Sequence, residues 1–197
     1  MRIDLPGAEV DWMPGWLPGP EAEVLRGQLL AEVAWEVHRI RLFGREVDSP
    51  RLSSWIGDPQ ARYRYSGTDF EPQAWPPILD AVRRRLREAL EADFNSVLVN
   101  RYRDGRDAMG WHSDDEPELG VRPLIASLSL GAPRRFLFRR RDDPAFKREL
   151  MLGHGDLLVM AGDTQRLYHH GLPRTARPVG ERINLTFRQI GPRDSSR

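Results

Sequence analysis

A mainly β fold with flanking helices is what this 197-residue sequence predicts. Apolar residues recur at about every 3.6 positions up to residue 93 and at every second position beyond it. Gly and Pro then divide the second half into short alternating runs with no helical spacing between them, which favours antiparallel strands over alternating strand and helix. About eight strands closed into a double-stranded β-helix, or jelly roll, and supported by two N-terminal helices are the natural arrangement.

Val24, Leu25, Leu29, Leu30, Val33 and Val37 recur at helical spacing from Pro20 to Val37, and a proline suits a first helical turn because its missing N–H would have had no intrahelical acceptor. Residues 44–72 are rich in turn formers and read as a long irregular stretch, with Trp55, Tyr63 and Tyr65 among Arg51, Arg62 and Arg64. A second helix over Pro76–Ala92 places Leu79, Val82, Leu86 and Leu90 on one face. Candidate strands follow at Ser96–Tyr102, Leu124–Leu130, Arg135–Arg139, Arg148–Leu152, Asp156–Met160 and Arg182–Gln189, and Gly191–Arg197 reads as a polar tail. The length suits a single domain, 1–197, with the barrel in 94–190.

The absence of cysteine excludes a disulfide framework, a thiolate zinc site and a cysteine nucleophile, so a metal must be held by His, Asp or Glu. No stretch approaches the ~18 apolar residues of a membrane span, and the first 20 residues lack the apolar core of a signal peptide. A soluble, cytoplasmic, monomeric protein with no obligate protein partner is expected. The formal net charge of +1 hides an asymmetry, because residues 101–197 carry 18 basic and 13 acidic side chains. Arg134, Arg135, Arg139, Arg140 and Arg141 lie beside Phe136 and Phe138, suiting either phosphate contacts or an edge strand protected by charge.

His112-Ser113-Asp114 sets an imidazole and a carboxylate two residues apart, on one face of an extended segment, where both can reach one metal. His154-Gly155-Asp156 has the same spacing, but it opens the apolar run Leu157–Met160 and reads better as a turn entering a buried strand. His169 and His170 are the later histidines available for a third ligand. Two His and one carboxylate make the facial triad of non-haem Fe(II) oxygenases, so iron is favoured over zinc. Further on, Arg182, Asn184, Thr186 and Arg188 alternate with Ile183, Leu185 and Phe187. A face with two arginines is costly to bury in a barrel unless an anion lies between them, and a dicarboxylate supplies one.

With Asn100-Arg101-Tyr102, His112-Ser113-Asp114, His170 and the Arg182–Arg188 run in this order, the chain resembles the AlkB family of Fe(II)- and 2-oxoglutarate-dependent dioxygenases, over roughly residues 40–190. Tyr63–Gly67 and Trp75-Pro76 resemble family segments as well, and the DNA-repair demethylases are the nearest branch. The resemblance implies Fe(II) held by His112, Asp114 and His170, with O2 and 2-oxoglutarate as cosubstrates. It implies that Arg182, Asn100 and Tyr102 bind the distal carboxylate, and that Asn184 and Arg188 help hold the iron-side end. The implied reaction is oxidative demethylation of N1-methyladenine or N3-methylcytosine in nucleic acid, DNA favoured and RNA possible, releasing succinate, CO2 and formaldehyde. Residues 1–93 would then carry a nucleotide-recognition lid.

Tyr65 would stack on the extruded base opposite His112, Glu116 would contact the base, and Asp115 would complement its positive charge. Phe43 resembles a wedge residue for duplex DNA, although its type also suits core packing, and Arg51 lies where that branch contacts the strand. The family usually has an aromatic residue where this chain has His169; the following Gly171-Leu172 matches the family turn and favours His170 as the ligand. The same iron chemistry on RNA, protein or a small N-methyl compound, and a silent nucleic-acid-binding module, are the competing readings.

Overall fold

The computed structural model describes residues 1–37, 39–42, 45–61, 63–65 and 68–191, with the side chains at 38–47 and 62–70 outside that description. In chain order the elements are β1 (Glu9–Met13), α1 (Gly19–Glu32), β2 (Arg39–Leu42), β3 (Arg45–Asp48), β4 (Leu52–Gly57), β5 (Tyr63–Tyr65) and β6 (Thr68–Phe70). After α2 (Pro77–Leu90) come β7 (Ser96–Tyr102), β8 (Met109–His112), β9 (Ile125–Gly131), β10 (Arg134–Arg140), β11 (Lys147–Leu152) and β12 (Leu157–Ala161). A single turn, α3 (Thr164–Leu167), leads into β13 (Tyr168–Leu172), and β14 (Arg182–Arg188) closes the series.

Two antiparallel sheets make the jelly roll: a six-stranded sheet in the order β1-β12-β9-β14-β7-β4 and a four-stranded sheet in the order β11-β10-β13-β8. β2 pairs with β3 and β5 with β6 as separate two-stranded units. The period-2 pattern sorts each central strand by face. In β14, Ile183, Leu185 and Phe187 join Val97 and Val99 of β7 and Ala126, Leu128 and Leu130 of β9 on the outer face. There they meet Leu25 and Leu29 of α1 and Leu79, Val82 and Leu86 of α2. The intervening residues face the other sheet.

The space between the sheets is apolar under β10, β11 and β12, where Phe136, Phe138, Leu150, Leu152, Leu158 and Met160 pack together. It turns polar toward β14 and β7, whose Asn100, Arg182, Asn184, Thr186 and Arg188 are all buried.

The first helix differs from its sequence reading in extent and in face. It ends at Glu32, with the Val33 N–H donating back to the Leu29 carbonyl. The buried stripe is Ala22, Leu25, Leu29 and Val33, spaced 3, 4 and 4, whereas Val24 lies about half a turn away and is 60% exposed. Val37 lies beyond the helix and is also exposed.

The expectation of an irregular stretch over 44–72 is corrected by β3, β4, β5 and β6. β4 pairs with β7 from Leu52↔Arg101 to Gly57↔Ser96. Ser53 and Ser54 are both buried in it, so its hydrophobic alternation is missing even though its backbone belongs to the sheet. β1, β8 and β13 were also absent from the expected strands. Each is only four or five residues long and mixes polar with apolar side chains.

Phe187 is fully buried, with Phe94 edge-on at 6.1 Å and Trp75 stacked at 6.3 Å. Phe187→Ala is expected to cost about 3–5 kcal/mol of unfolding free energy in a urea titration, the range for truncating a well-packed core aromatic.

Candidate metal centre

β8 and β13 are neighbours in the smaller sheet, and their register sets His112 directly opposite His170. Asp114 lies two residues beyond the end of β8, and its carboxylate comes to the same side as the two imidazoles. The Asp114 N–H donates to Oε1 of the buried Gln165 at 3.0 Å, which ties this segment to α3. One potential ligand atom from each of His112, Asp114 and His170 lies within 4.8 Å of the other two.

Nδ1 of His112 is 2.9 Å from the Gly110 carbonyl, so it carries the proton and donates. That leaves Nε2 with a free lone pair, 4.0 Å from Asp114 Oδ1. His170 Nε2 stands 3.9 Å from Asp114 Oδ2. The His170 ring is held against Phe136, with centroids 5.5 Å apart and nearly parallel planes.

Burial pushes the His170 imidazolium down to about 3 and lowers His112 as well, so both rings are neutral at physiological pH. Burial works against ionisation of Asp114, but the charge of Arg188 and the hydrogen bond it donates hold the carboxyl below the ordinary range. Arg188 donates to Asp114 Oδ1 at 2.7 Å, while Oδ2 is buried with no hydrogen bond. Two neutral imidazoles and a carboxylate with an unsatisfied oxygen form a donor set for a divalent first-row metal, and the set suits iron.

Beside this cluster, Arg182 is 1% exposed; burial pushes its guanidinium down to about 10. It donates to Ser129 Oγ at 2.9 Å and Asn184 Oδ1 at 2.7 Å, lies over the Tyr102 ring, and keeps Nε buried without an acceptor. Asn184 Nδ2 donates to Thr186 Oγ1. Asn100, Tyr102, Arg182, Asn184 and Arg188 line the same cavity as the three ligand candidates.

The residues expected at the substrate divide differently. Asp115 pairs with Arg141 at 2.8 Å, and Glu116 immediately precedes a short 3-10 turn, Pro117–Leu119. Arg51 is buried, donating to Asn100 and Ser49. Tyr65 ends β5 with its side chain outside the described residues, and Phe43 lies outside them altogether. His169 turns away from the cluster and stands 3.2 Å from Ser113 Oγ.

The arginine run around β10 is mostly spent on local partners. Arg134 donates to three backbone carbonyls, Arg135 and Arg140 pair with Glu149 and Asp142, and Arg139 lies over Trp111. His154 and Asp156 are structural: His154 Nδ1 accepts from the Gly131 N–H, and Asp156 accepts from Trp12, Gly15 and Gly153. Sequence reasoning missed Gln165, Ser129 and Phe136 as parts of the site. Of these only Phe136 carried a signal, its alternation with Phe138.

Fold and site together define a jelly-roll protein built to hold one metal through two histidines and an aspartate, next to a buried cationic cradle. Residues 9–188 match the model of the 2OG-Fe(II) oxygenase superfamily. The chain is 39% identical over 182 residues to "DNA oxidative demethylase ALKBH2" of Mus musculus, covering 87% of this chain and 76% of the relative. It is 39% identical over 191 residues to "Alpha-ketoglutarate-dependent dioxygenase alkB homolog 3" of Mus musculus, covering 91% of this chain but only 65% of the relative's length. The solved structure of OsALKBH1 shares the fold, with a TM-score of 0.64 at 19% identity, over 95% of this chain and all of that one. The protein belongs to the AlkB family of the 2OG-Fe(II) oxygenase superfamily, a membership that implies Fe(II), 2-oxoglutarate and O2.

His170→Ala is expected to abolish stoichiometric Mn(II) or Fe(II) binding in calorimetry, and with it all turnover. His169→Ala retains both; loss of metal in His169→Ala alone would reassign the ligand.

Proposed function

We propose that this protein oxidatively removes methyl groups from N1-methyladenine- and N3-methylcytosine-type bases in nucleic acid, DNA favoured, as a direct reversal of alkylation damage. The observation that carries the reading is the His112, Asp114 and His170 cluster sharing one cavity with the buried Arg182. Relatives named as DNA oxidative demethylases support the choice of substrate class over a protein or a small N-methyl compound. The cytoplasmic, monomeric state expected from the sequence belongs to the same proposal.

His112, Asp114 and His170 would hold Fe(II). Together with 2-oxoglutarate and O2, the iron supplies oxidation of an unactivated C–H bond, which no side chain of this protein can perform. Arg182, with its planar donor fork, suits the distal carboxylate of the diacid, flanked by Asn100 and Tyr102. Asn184 and Arg188 lie between that end and the ligand cluster, where Arg188 also keeps Asp114 ionised. Phe136, Met109 and Leu172 line the same cavity and give it apolar walls.

An alkylated base is cationic and, inside a duplex, out of reach, so it must be turned out of the stack. Tyr65 would stack on it opposite His112, while Asp115 and Glu116 would offset its charge. Phe43 would fill the gap in a duplex. The oxidised methyl leaves as formaldehyde, with succinate and CO2 formed from the diacid.

Purified protein given Fe(II), 2-oxoglutarate and oligonucleotides carrying either lesion, single- or double-stranded, is expected to release formaldehyde and succinate in equal amounts. Succinate release that no oligonucleotide changes would reject the reading. RNA turned over faster than DNA would move it to RNA.

A further inference from the structure

Arg51 is 5% exposed, and both of its acceptors are neutral: Nε donates to Asn100 Oδ1 at 2.8 Å and a terminal nitrogen donates to Ser49 Oγ at 3.0 Å. It immediately precedes β4, the edge strand paired with β7, on the same face as Ser53, which stands opposite Asn100. Among the described residues no carboxylate pairs with it, and the same holds for Arg182 deeper in the barrel. Among the described residues, the acceptors of both buried cations are uncharged oxygens, an expensive arrangement unless an anion lies nearby.

The chemistry at Asn100 is more specific. A carboxamide can offer a pocket either its acceptor oxygen or its donor nitrogen, and the difference decides whether a carboxylate is welcomed or repelled. Arg51 has only donors, so it claims Oδ1 and leaves Nδ2 as the face Asn100 can show to the cavity it lines.

Resting on the functional reading above, we propose that Arg51 is a positioning residue for the cosubstrate: through its bond to Oδ1 it fixes the Asn100 amide as a donor toward the distal carboxylate of 2-oxoglutarate. This assigns Arg51 to the cosubstrate end in place of the strand contact expected from the resemblance. The guanidinium bonds two acceptors at once, through Nε and a terminal nitrogen, and a lysine ammonium reproduces this only in part.

Calorimetric titration of 2-oxoglutarate into the full-length protein loaded with Mn(II) tests this directly. Arg51→Ala is expected to raise the Kd for 2-oxoglutarate by about tenfold or more, the scale for losing a hydrogen bond oriented toward a charged group. Affinity for Mn(II) alone and for a methylated oligonucleotide should change less than about twofold. Arg51→Lys should recover part of the loss. In an Asn100→Ala background Arg51→Ala should have a much smaller effect, because its action runs through that amide.

Unchanged 2-oxoglutarate affinity with weakened oligonucleotide binding would make Arg51 a strand contact and overturn the assignment. A parallel loss of Mn(II) affinity and Tm, with no rescue by Lys, would make its role merely structural and overturn it equally. Wild-type protein that binds no 2-oxoglutarate would overturn the functional reading itself, whereas wild-type binding with an unaffected Arg51→Ala overturns this assignment alone.

Discussion

Between the two sheets Arg188 donates to Asp114 at 2.7 Å, and both side chains are almost wholly removed from solvent. Breaking such a pair by deleting one partner costs about 3–5 kcal/mol, because the survivor is left charged and dry. The pair therefore fixes where β14 and the segment after β8 stand relative to one another. It also keeps Asp114 anionic, with one oxygen turned toward His170. The neutral state of His170 follows from the same dry surroundings, and the orientation of His112 from its bond to the Gly110 carbonyl. The ligand geometry is in this sense a consequence of burying polar groups where a jelly roll would ordinarily bury apolar ones.

The two faces of β14 show how the fold bears that cost. Ile183, Leu185 and Phe187 are completely buried beneath the helices, and each contributes about 1.5–3 kcal/mol through removal of apolar surface from water. The opposite face holds Arg182, Asn184, Thr186 and Arg188, linked to Ser129, Ser127 and Asp114 by hydrogen bonds. The outer face anchors the strand, and the inner face is thereby free to serve chemistry. Truncating the helices would loosen the site without touching a single ligand.

The β14 alternation and the His112-Ser113-Asp114 spacing were legible because backbone geometry alone dictates which side chains share a face. The second helix was legible from Leu79, Val82 and Leu86 for the same reason. β4 was not: Ser53, opposite Asn100, and Ser54, opposite Val99, are both buried on its two faces, so their composition imitates a loop. Residues that act through tertiary neighbours were equally hidden. Gln165 reaches Asp114 from 51 positions away and Arg51 reaches Asn100 from 49, with no local pattern to announce either contact. His154-Gly155-Asp156 carries the opposite lesson, since an identical spacing closes a turn when the strand after it is apolar.

Crystals grown with Mn(II) and 2-oxoglutarate under anaerobic conditions, measured at the metal's absorption edge, show whether His112, Asp114 and His170 share one ion. One anomalous peak per chain is expected within about 2.0–2.3 Å of Nε2 of both histidines and a carboxylate oxygen of Asp114, first-row ligand distances, with the diacid's far end against Arg182. A peak elsewhere, or a metal that touches only one of the two imidazoles, would contradict it.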